Sequence, residues 1–139
     1  MSTLEYPTRR RSPCTVLVVD DDDDSRRADR LVLEHFGFVV REASRGLDAL
    51  ALAQVSRPRV VLLDMVLPEI DGAQLARMLR ADPATRHAAL VAISASDASE
   101  VRARAIDAGC DEFVGKPIAP SDLVSVIGRY IRQPVGIGL

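Results

Sequence analysis

Cysteine is nearly missing from this chain: Cys14 and Cys110 are the only two in 139 residues. Two are too few for a disulfide framework, and neither has metal-ligand spacing, so both read as reduced thiols of a cytoplasmic protein. Long apolar runs are missing too. Nothing reaches the ~18–20 apolar residues of a membrane span, and the N-terminal "MSTLEYPTRRRSP" lacks the apolar core of a signal peptide. A basic excess is absent: the formal net charge is −2. That removes any global electrostatic case for nucleic acid or an acidic membrane as a direct partner. Arg9, Arg10 and Arg11 form the only basic run and read as part of a flexible leader, residues 1–14, rather than as a binding arm. There is no internal repeat. What remains is the length and composition of one soluble domain with a real core.

Within it, short apolar runs alternate with amphipathic ones. "TVLVV" is too short for a helix and suits a strand covered on both faces. From about Asp24 to Phe36, Ala28, Leu31, Val32, His35 and Phe36 recur at helical spacing, and Gly37 is a natural C-terminal cap. "FVVREA" predicts a second, more exposed strand. "RGLDALALAQV" predicts a helix through Leu47, Leu50, Ala51 and Gln54 that stops before Pro58. "RVVLLD" is a third strand, apolar until Asp64, followed by the turn chemistry of "VLPEIDG". A third helix carries Leu75, Met78 and Leu79. "ALVAIS" is a fourth strand, "SEVRARAIDAG" a polar helix, and "DEFVGKP" holds a fifth strand. Ser121 is expected to cap a last helix with Leu123, Val124, Ile127, Tyr130 and Ile131 on its buried stripe. Five βα units imply an α/β fold, a parallel sheet with helices on both faces. The folded unit is expected over residues 15–133, with 134–139 a short tail.

In such sheets ligands gather at the carboxyl ends of the strands. Strand one ends at Asp20 and Asp21, strand three at Asp64, strand four at Ser94, and strand five near Lys116. Each alone is unremarkable: an acidic run is usually a solvated loop, and a lysine before a proline is usually just exposed. Their joint arrival at one edge is not. Three crowded carboxylates repel unless protonated or bound to a cation. Oxygen ligands in a partly open site suit Mg²⁺, and a serine and a lysine beside it can hold phosphoryl oxygens. The set describes phosphoryl transfer onto a carboxylate.

The motifs "VVDDD", "LLDMVLPEIDG", "AISAS" and "FVGKP" together make the chain resemble the receiver domain of bacterial two-component response regulators, of the single-domain, chemotaxis-regulator kind. The resemblance runs from about Thr15 to Gln133. It implies a doubly wound, flavodoxin-like sheet in the order 2-1-3-4-5. It implies that Asp64 is the phosphoacceptor, modified to 4-aspartylphosphate, that Asp21 binds Mg²⁺ directly, and that Asp20 acts through water. The backbone carbonyl of Val66 would complete the metal shell. Ser94 and Lys116 would hold the phosphoryl group, Ser94 and Phe113 would form the switch, and Pro117 would follow a cis peptide. Asp20 to Asp24 are then two ligands followed by a helix start at Asp24 and Ser25, with Asp22 and Asp23 rim charges and Asp22 lacking an assigned task. The implied partners are a sensor histidine kinase or a histidine phosphotransfer protein upstream and a protein effector downstream. A phosphorylation-dependent dimer is also implied, although Ile118 stands where many DNA-binding regulators carry phenylalanine. The signal would leave by protein contact, unless the chain is a piece of a larger regulator or hybrid kinase.

Three other readings compete. A dehalogenase-type phosphatase wants an acid two residues after its nucleophile, where Val66 stands. A flavodoxin-like cofactor binder needs hydroxyl and glycine groups in its first loop, where Asp20 to Asp24 would repel a phosphate. A receiver used only as an interaction module has no need of the complete acidic set.

Overall fold

The structure, a computed structural model, describes residues 15–96 and 98–131. Cys14, the arginine run and the C-terminal tail lie outside the described residues. Ten elements alternate strictly: β1 Thr15–Val19, α1 Asp23–His35, β2 Val39–Ala43, α2 Gly46–Ser56, β3 Val60–Asp64, α3 Gly72–Ala81, β4 Ala89–Ser94, α4 Ser99–Asp107, β5 Glu112–Gly115 and α5 Pro120–Ile131. The five strands are parallel, in the order β2-β1-β3-β4-β5. This is the α/β, flavodoxin-like architecture expected.

The central strands are apolar at every position because both of their faces are covered. Successive side chains point to opposite sides. Leu17, Val19, Val61, Leu63, Leu90 and Ala92 meet α2, α3 and α4, while Val16, Val18, Val60, Leu62, Val91 and Ile93 meet α1 and α5. β2 lies at the edge and is half-covered, as its mixed composition predicts.

Two helices are rotated from the expected stripe. On α1, Leu33 alone is buried, while Leu31 and Phe36 are more than half exposed. The inner face carries Arg26, Asp29 and Arg30 instead, one and two turns before Leu33. The two arginines sit there because they have a partner: Arg26 and Arg30 both reach Glu42 of β2. On α2 the buried residues are Gly46, Ala49 and Ala53, and Leu47 points outward. Small residues let this helix lie close to the sheet. A Cβ at Gly46 would come within 2.4 Å of the Ile70 side chain. The last helix begins at Pro120, which suits a first helical position because its missing N–H has no partner to lose there. The Leu123 N–H bonds the Ala119 carbonyl, so Ser121 lies inside the first turn rather than at the cap. Val126, not Val124, joins the buried stripe. Gly37 and Gly109 end α1 and α4 at φ +94° and +107°, a region that costs glycine little.

Candidate functional site

The strand order reverses between β1 and β3, where loops leave in opposite directions and open a crevice. Asp20 follows β1 and Asp64 ends β3, so the two acids face each other across that crevice. Asp20 is 3 % exposed and its N–H bonds the Ala43 carbonyl at the end of β2. Asp64 is held by the Val66 N–H, 2.9 Å from Oδ1. The backbone leaving Asp64 is pinned as well. Asp71 caps α3 by accepting the Gln74 N–H at 2.9 Å, and Gly72 then lies so close to β3 that a Cβ would sit 2.4 Å from the Asp64 carbonyl oxygen.

Lys116 follows β5, and its peptide bond to Pro117 is cis. Its Nζ donates to Asp20 Oδ2 at 2.9 Å and to Asp64 Oδ2 at 3.0 Å, with the Ser25 hydroxyl at 3.5 Å. One ammonium thus bridges two carboxylates. Burial alone would lift the Asp20 carboxyl. The Asp22 N–H, Lys116 and Ser25 outweigh it and hold the group below the usual carboxylate range. Burial likewise opposes the charge on Lys116, and the same two aspartates keep its pKa raised. Asp21 is exposed, yet carboxylate oxygens of Asp20, Asp21 and Asp64 lie within 4.8 Å of one another. An all-oxygen, partly open set of this size fits a small hard cation that keeps several waters.

Ser94 ends β4, is 1 % exposed, and accepts the Ser96 N–H at 3.1 Å. The Lys116 N–H bonds the Ser94 carbonyl at 2.8 Å, which places the two residues side by side at the same edge. Val66 lies in the loop after β3 and is 70 % exposed. Phe113, inside β5, is buried against the α2–α3–α4 side of the sheet, with the Arg102 guanidinium of α4 4.7 Å from its ring centre. The sequence thus brings Asp20, Asp64 and Lys116 into direct contact, with Asp21 and Ser94 beside them. Phe113 stands apart, already inside the core.

Four residues at the site escape a reading of strand ends. Asp22 is the N-cap of α1: its side chain accepts the Ser25 N–H at 2.9 Å, while its own N–H bonds Asp20 Oδ1 at 2.9 Å. The helix expected to start at Asp24 therefore starts one residue earlier, with its cap at Asp22, and Asp23 pairs with Arg26. Ser25 turns its hydroxyl toward Lys116. Asp29 is half-buried beside Asp20; desolvation first, and the Asp20 charge second, push its pKa up to about 6. Arg26 donates to the Asp20 carbonyl at 2.8 Å, to Glu42 at 3.0 Å and to Asp23 at 2.7 Å. An acid immediately before an acidic first turn is a cap signal, but its acidic neighbours hide Asp22 as one. Arg26 and Asp29 gave no signal, since only the rotation of α1 turns them inward.

Arg26 ties the acidic loop to β2 and to α1 at once. Arg26→Ala is therefore expected to weaken Mg²⁺ binding about tenfold, the scale of losing a group that orients a metal ligand. Calorimetric titration of Mg²⁺ measures it. Arg26→Lys should recover part of the affinity, and an unchanged dissociation constant in Arg26→Ala would remove this role.

Comparison with known proteins agrees with this geometry. The model of the response regulator receiver domain family matches residues 16–128. The polar-differentiation response regulator DivK of Brucella anthropi is 29% identical over 119 residues, which are 86% of this chain and 97% of that protein. The transcriptional regulatory protein SrrA of Staphylococcus aureus is 33% identical over 118 residues, 85% of this chain, but the match spans only 48% of SrrA. Among solved structures, the receiver domain of the sensor histidine kinase PA1611 from Pseudomonas aeruginosa PAO1 superposes with a TM-score of 0.80 at 25% identity, covering 86% of this chain and 98% of that one. That crystal structure has a magnesium ion coordinated in its active-site cleft. With the sheet order, the acidic cluster and the family match in agreement, the chain belongs to the response regulator receiver domain family, a self-catalysed phosphotransfer module rather than a classical enzyme.

Proposed function

We propose that this chain takes a phosphoryl group from the phosphohistidine of a sensor histidine kinase or phosphotransfer protein onto Asp64, in the cytoplasm, and passes the signal on by protein contact. The observation that carries this reading is the triad of Asp20, Lys116 and Asp64, with Asp21 alongside, at the switch point of the sheet. Mg²⁺, held by Asp21, Asp64 and the Val66 carbonyl with Asp20 acting through water, would neutralise charge on the phosphoryl oxygens. The chain's own groups do the positioning. The Val66 N–H on Oδ1 fixes the plane of the Asp64 carboxylate. A carboxylate oxygen forms a bond to phosphorus as the bond from phosphorus to the donor imidazole nitrogen breaks, and the imidazole leaves with that electron pair. Lys116 then exchanges its contact with Asp64 for a phosphoryl oxygen, so no positive charge has to be brought in.

Ser94 supplies the second contact. Its hydroxyl is a donor beside the acceptor strand, and a phosphoryl group would draw it inward together with the loop after β4. Phe113, with Arg102 of α4 over its ring, would pass that movement to the face formed by α4, β5 and α5. A downstream effector, or a second phosphorylated copy, would read that face.

Incubation with acetyl phosphate and Mg²⁺ should add one phosphoryl group by intact mass, lost on treatment with hydroxylamine and mapped by peptide analysis to Asp64. Absence of the adduct from both acetyl phosphate and a phosphorylated histidine phosphotransfer protein would leave the chain an unphosphorylated interaction module.

A further inference from the structure

The acidic site occupies one edge of the sheet. The opposite edge, where the strands begin, holds a groove of about 910 Å³. Arg57 and Arg59 border it from the entry to β3, Arg86 and His87 from the entry to β4, and Arg80 and Asp111 from its floor. Its lining carries four arginines and one carboxylate in a chain whose formal net charge is −2, and Asp82, just outside the lining, feels the Arg57 charge.

The groove is built rather than incidental. Arg80 has turned four of its five donors into the frame: Nε to the Gly109 carbonyl at 2.9 Å, Nη1 to the Arg86 and Ala88 carbonyls at 2.7 and 2.6 Å, and Nη2 to Asp111 at 2.9 Å. Asp111 also accepts the Leu90 N–H at 2.8 Å, so the groove's only acid is spent on structure. The buried Thr85 hydroxyl bonds the Leu79 carbonyl at 2.7 Å and fixes the α3–β4 loop beneath Arg86. The arginines at the entries to β3 and β4 thus stand on an ordered backbone, and the guanidiniums of Arg57 and Arg86 are exposed. Pro58, Pro83, Ala84 and Tyr130 add apolar and aromatic wall to the same groove.

We propose that this groove is a binding site for a nucleoside polyphosphate, with Arg57 and Arg86 on the phosphates and the base against the proline and tyrosine wall. Guanidinium forks match phosphate oxygens in pairs, which a point charge does not. The volume is at the upper end for small-molecule sites, larger than a bare phosphate needs. An aromatic ring and two prolines suit a flat heterocycle, and a peptide carboxylate would leave that wall uncovered. The site is independent of the phosphoacceptor, since it lies at the other end of the strands and needs no metal.

The test is calorimetric titration of the full chain with ADP, GDP and inorganic pyrophosphate, in EDTA so that the acidic cluster takes no part, at about 150 mM salt to screen diffuse attraction. ADP or GDP should bind more tightly than pyrophosphate. The double substitution Arg57→Asn, Arg86→Ala, with asparagine chosen because residue 57 has φ 47°, should weaken that binding at least about tenfold. Removing the same charge elsewhere, with Arg27→Ala and Arg77→Ala, should leave it unchanged. Circular dichroism of each variant separates loss of binding from loss of fold, and Arg86→Ala alone should show a smaller weakening in the same direction. The proposal is overturned if neither nucleotide binds at about 1 mM, if pyrophosphate binds as tightly as both, or if the control pair weakens binding as much as the groove pair.

Discussion

Asp64→Ala should take up no phosphoryl group from any donor and should still fold, whereas Lys116→Ala should be the variant that loses stability. The asymmetry follows from counting charges in the crevice. The ammonium of Lys116 is shared between Asp20 and Asp64, whose side chains are 4% and 12% exposed. Without Asp64, one ammonium still faces one buried carboxylate, so the pair remains balanced and the loss is about 1 kcal/mol or less. Without Lys116, two buried carboxylates face each other, with Asp21 beside them, and the cost is about 2–4 kcal/mol. Urea unfolding at neutral pH measures both. Mg²⁺ should restore much of the stability of Lys116→Ala, because a cation binding only the folded state stabilises it by mass action. Acid should narrow the gap between Lys116→Ala and the wild type. Asp20 is held below its ordinary 3.8, so its ion pair contributes above that value and is lost as pH falls through the folded-state pKa. A Lys116→Ala protein as stable as the wild type in EDTA at pH 7 would contradict this balance. Phosphoryl uptake at the wild-type rate in Asp64→Ala would move the acceptor elsewhere.

Asp29→Asn should stabilise the apo protein, and the gain should depend on pH. Asp29 sits on the inner face of α1 beside Ile93, Ala95 and Lys116, in a cavity of about 380 Å³. Desolvation, with the Asp20 charge adding to it, raises its pKa from 3.8 to about 6. Below pH 4 the carboxyl is protonated in folded and unfolded chains alike and costs nothing by this route. Between pH 4 and 6 the unfolded chain ionises first, so stability falls as pH rises. Above pH 6 the full penalty is present, at most about 3 kcal/mol for a shift of this size and about 1–2 kcal/mol after allowing for water at the partly open cavity. Asparagine keeps the shape and removes the charge. In EDTA at pH 7.5 the variant should melt roughly 5 °C higher than the wild type, with about a third of that gain at pH 4.5 and little difference below pH 4. A gain independent of pH would trace the effect to packing instead, and no gain would place Asp29 in water.

These two cases mark where the sequence could be read and where it could not. The strands were legible because both faces of β1, β3 and β4 are covered, and their apolar runs stop where the sheet stops. The acids, the serine and the lysine then fall at strand ends by position alone. The rotation of α1 was not legible. Its inner face carries Arg26, Asp29 and Arg30, and a hydrophobic stripe through Leu31 and Phe36 points the wrong way. Glu42 on a neighbouring strand pairs with both arginines, and no local pattern announces to Arg26 a partner 16 residues away. α2 was misread for the opposite reason: the face that approaches the sheet is the one with the least to bury. The task of Asp22 was hidden by its neighbours, since one helix cap among five aspartates looks like any other.

Lys116 is also the chain's only lysine; every other cationic side chain is an arginine or a histidine. Apart from the terminal amine, the crevice therefore contains the sole primary amine of the molecule, and it is fully protonated while two carboxylates hold it. Amine-acylating reagents consequently meet one side-chain target. The rate at which they modify it is a chemical clock for whatever occupies the crevice, readable by mass spectrometry without adding a probe to the protein.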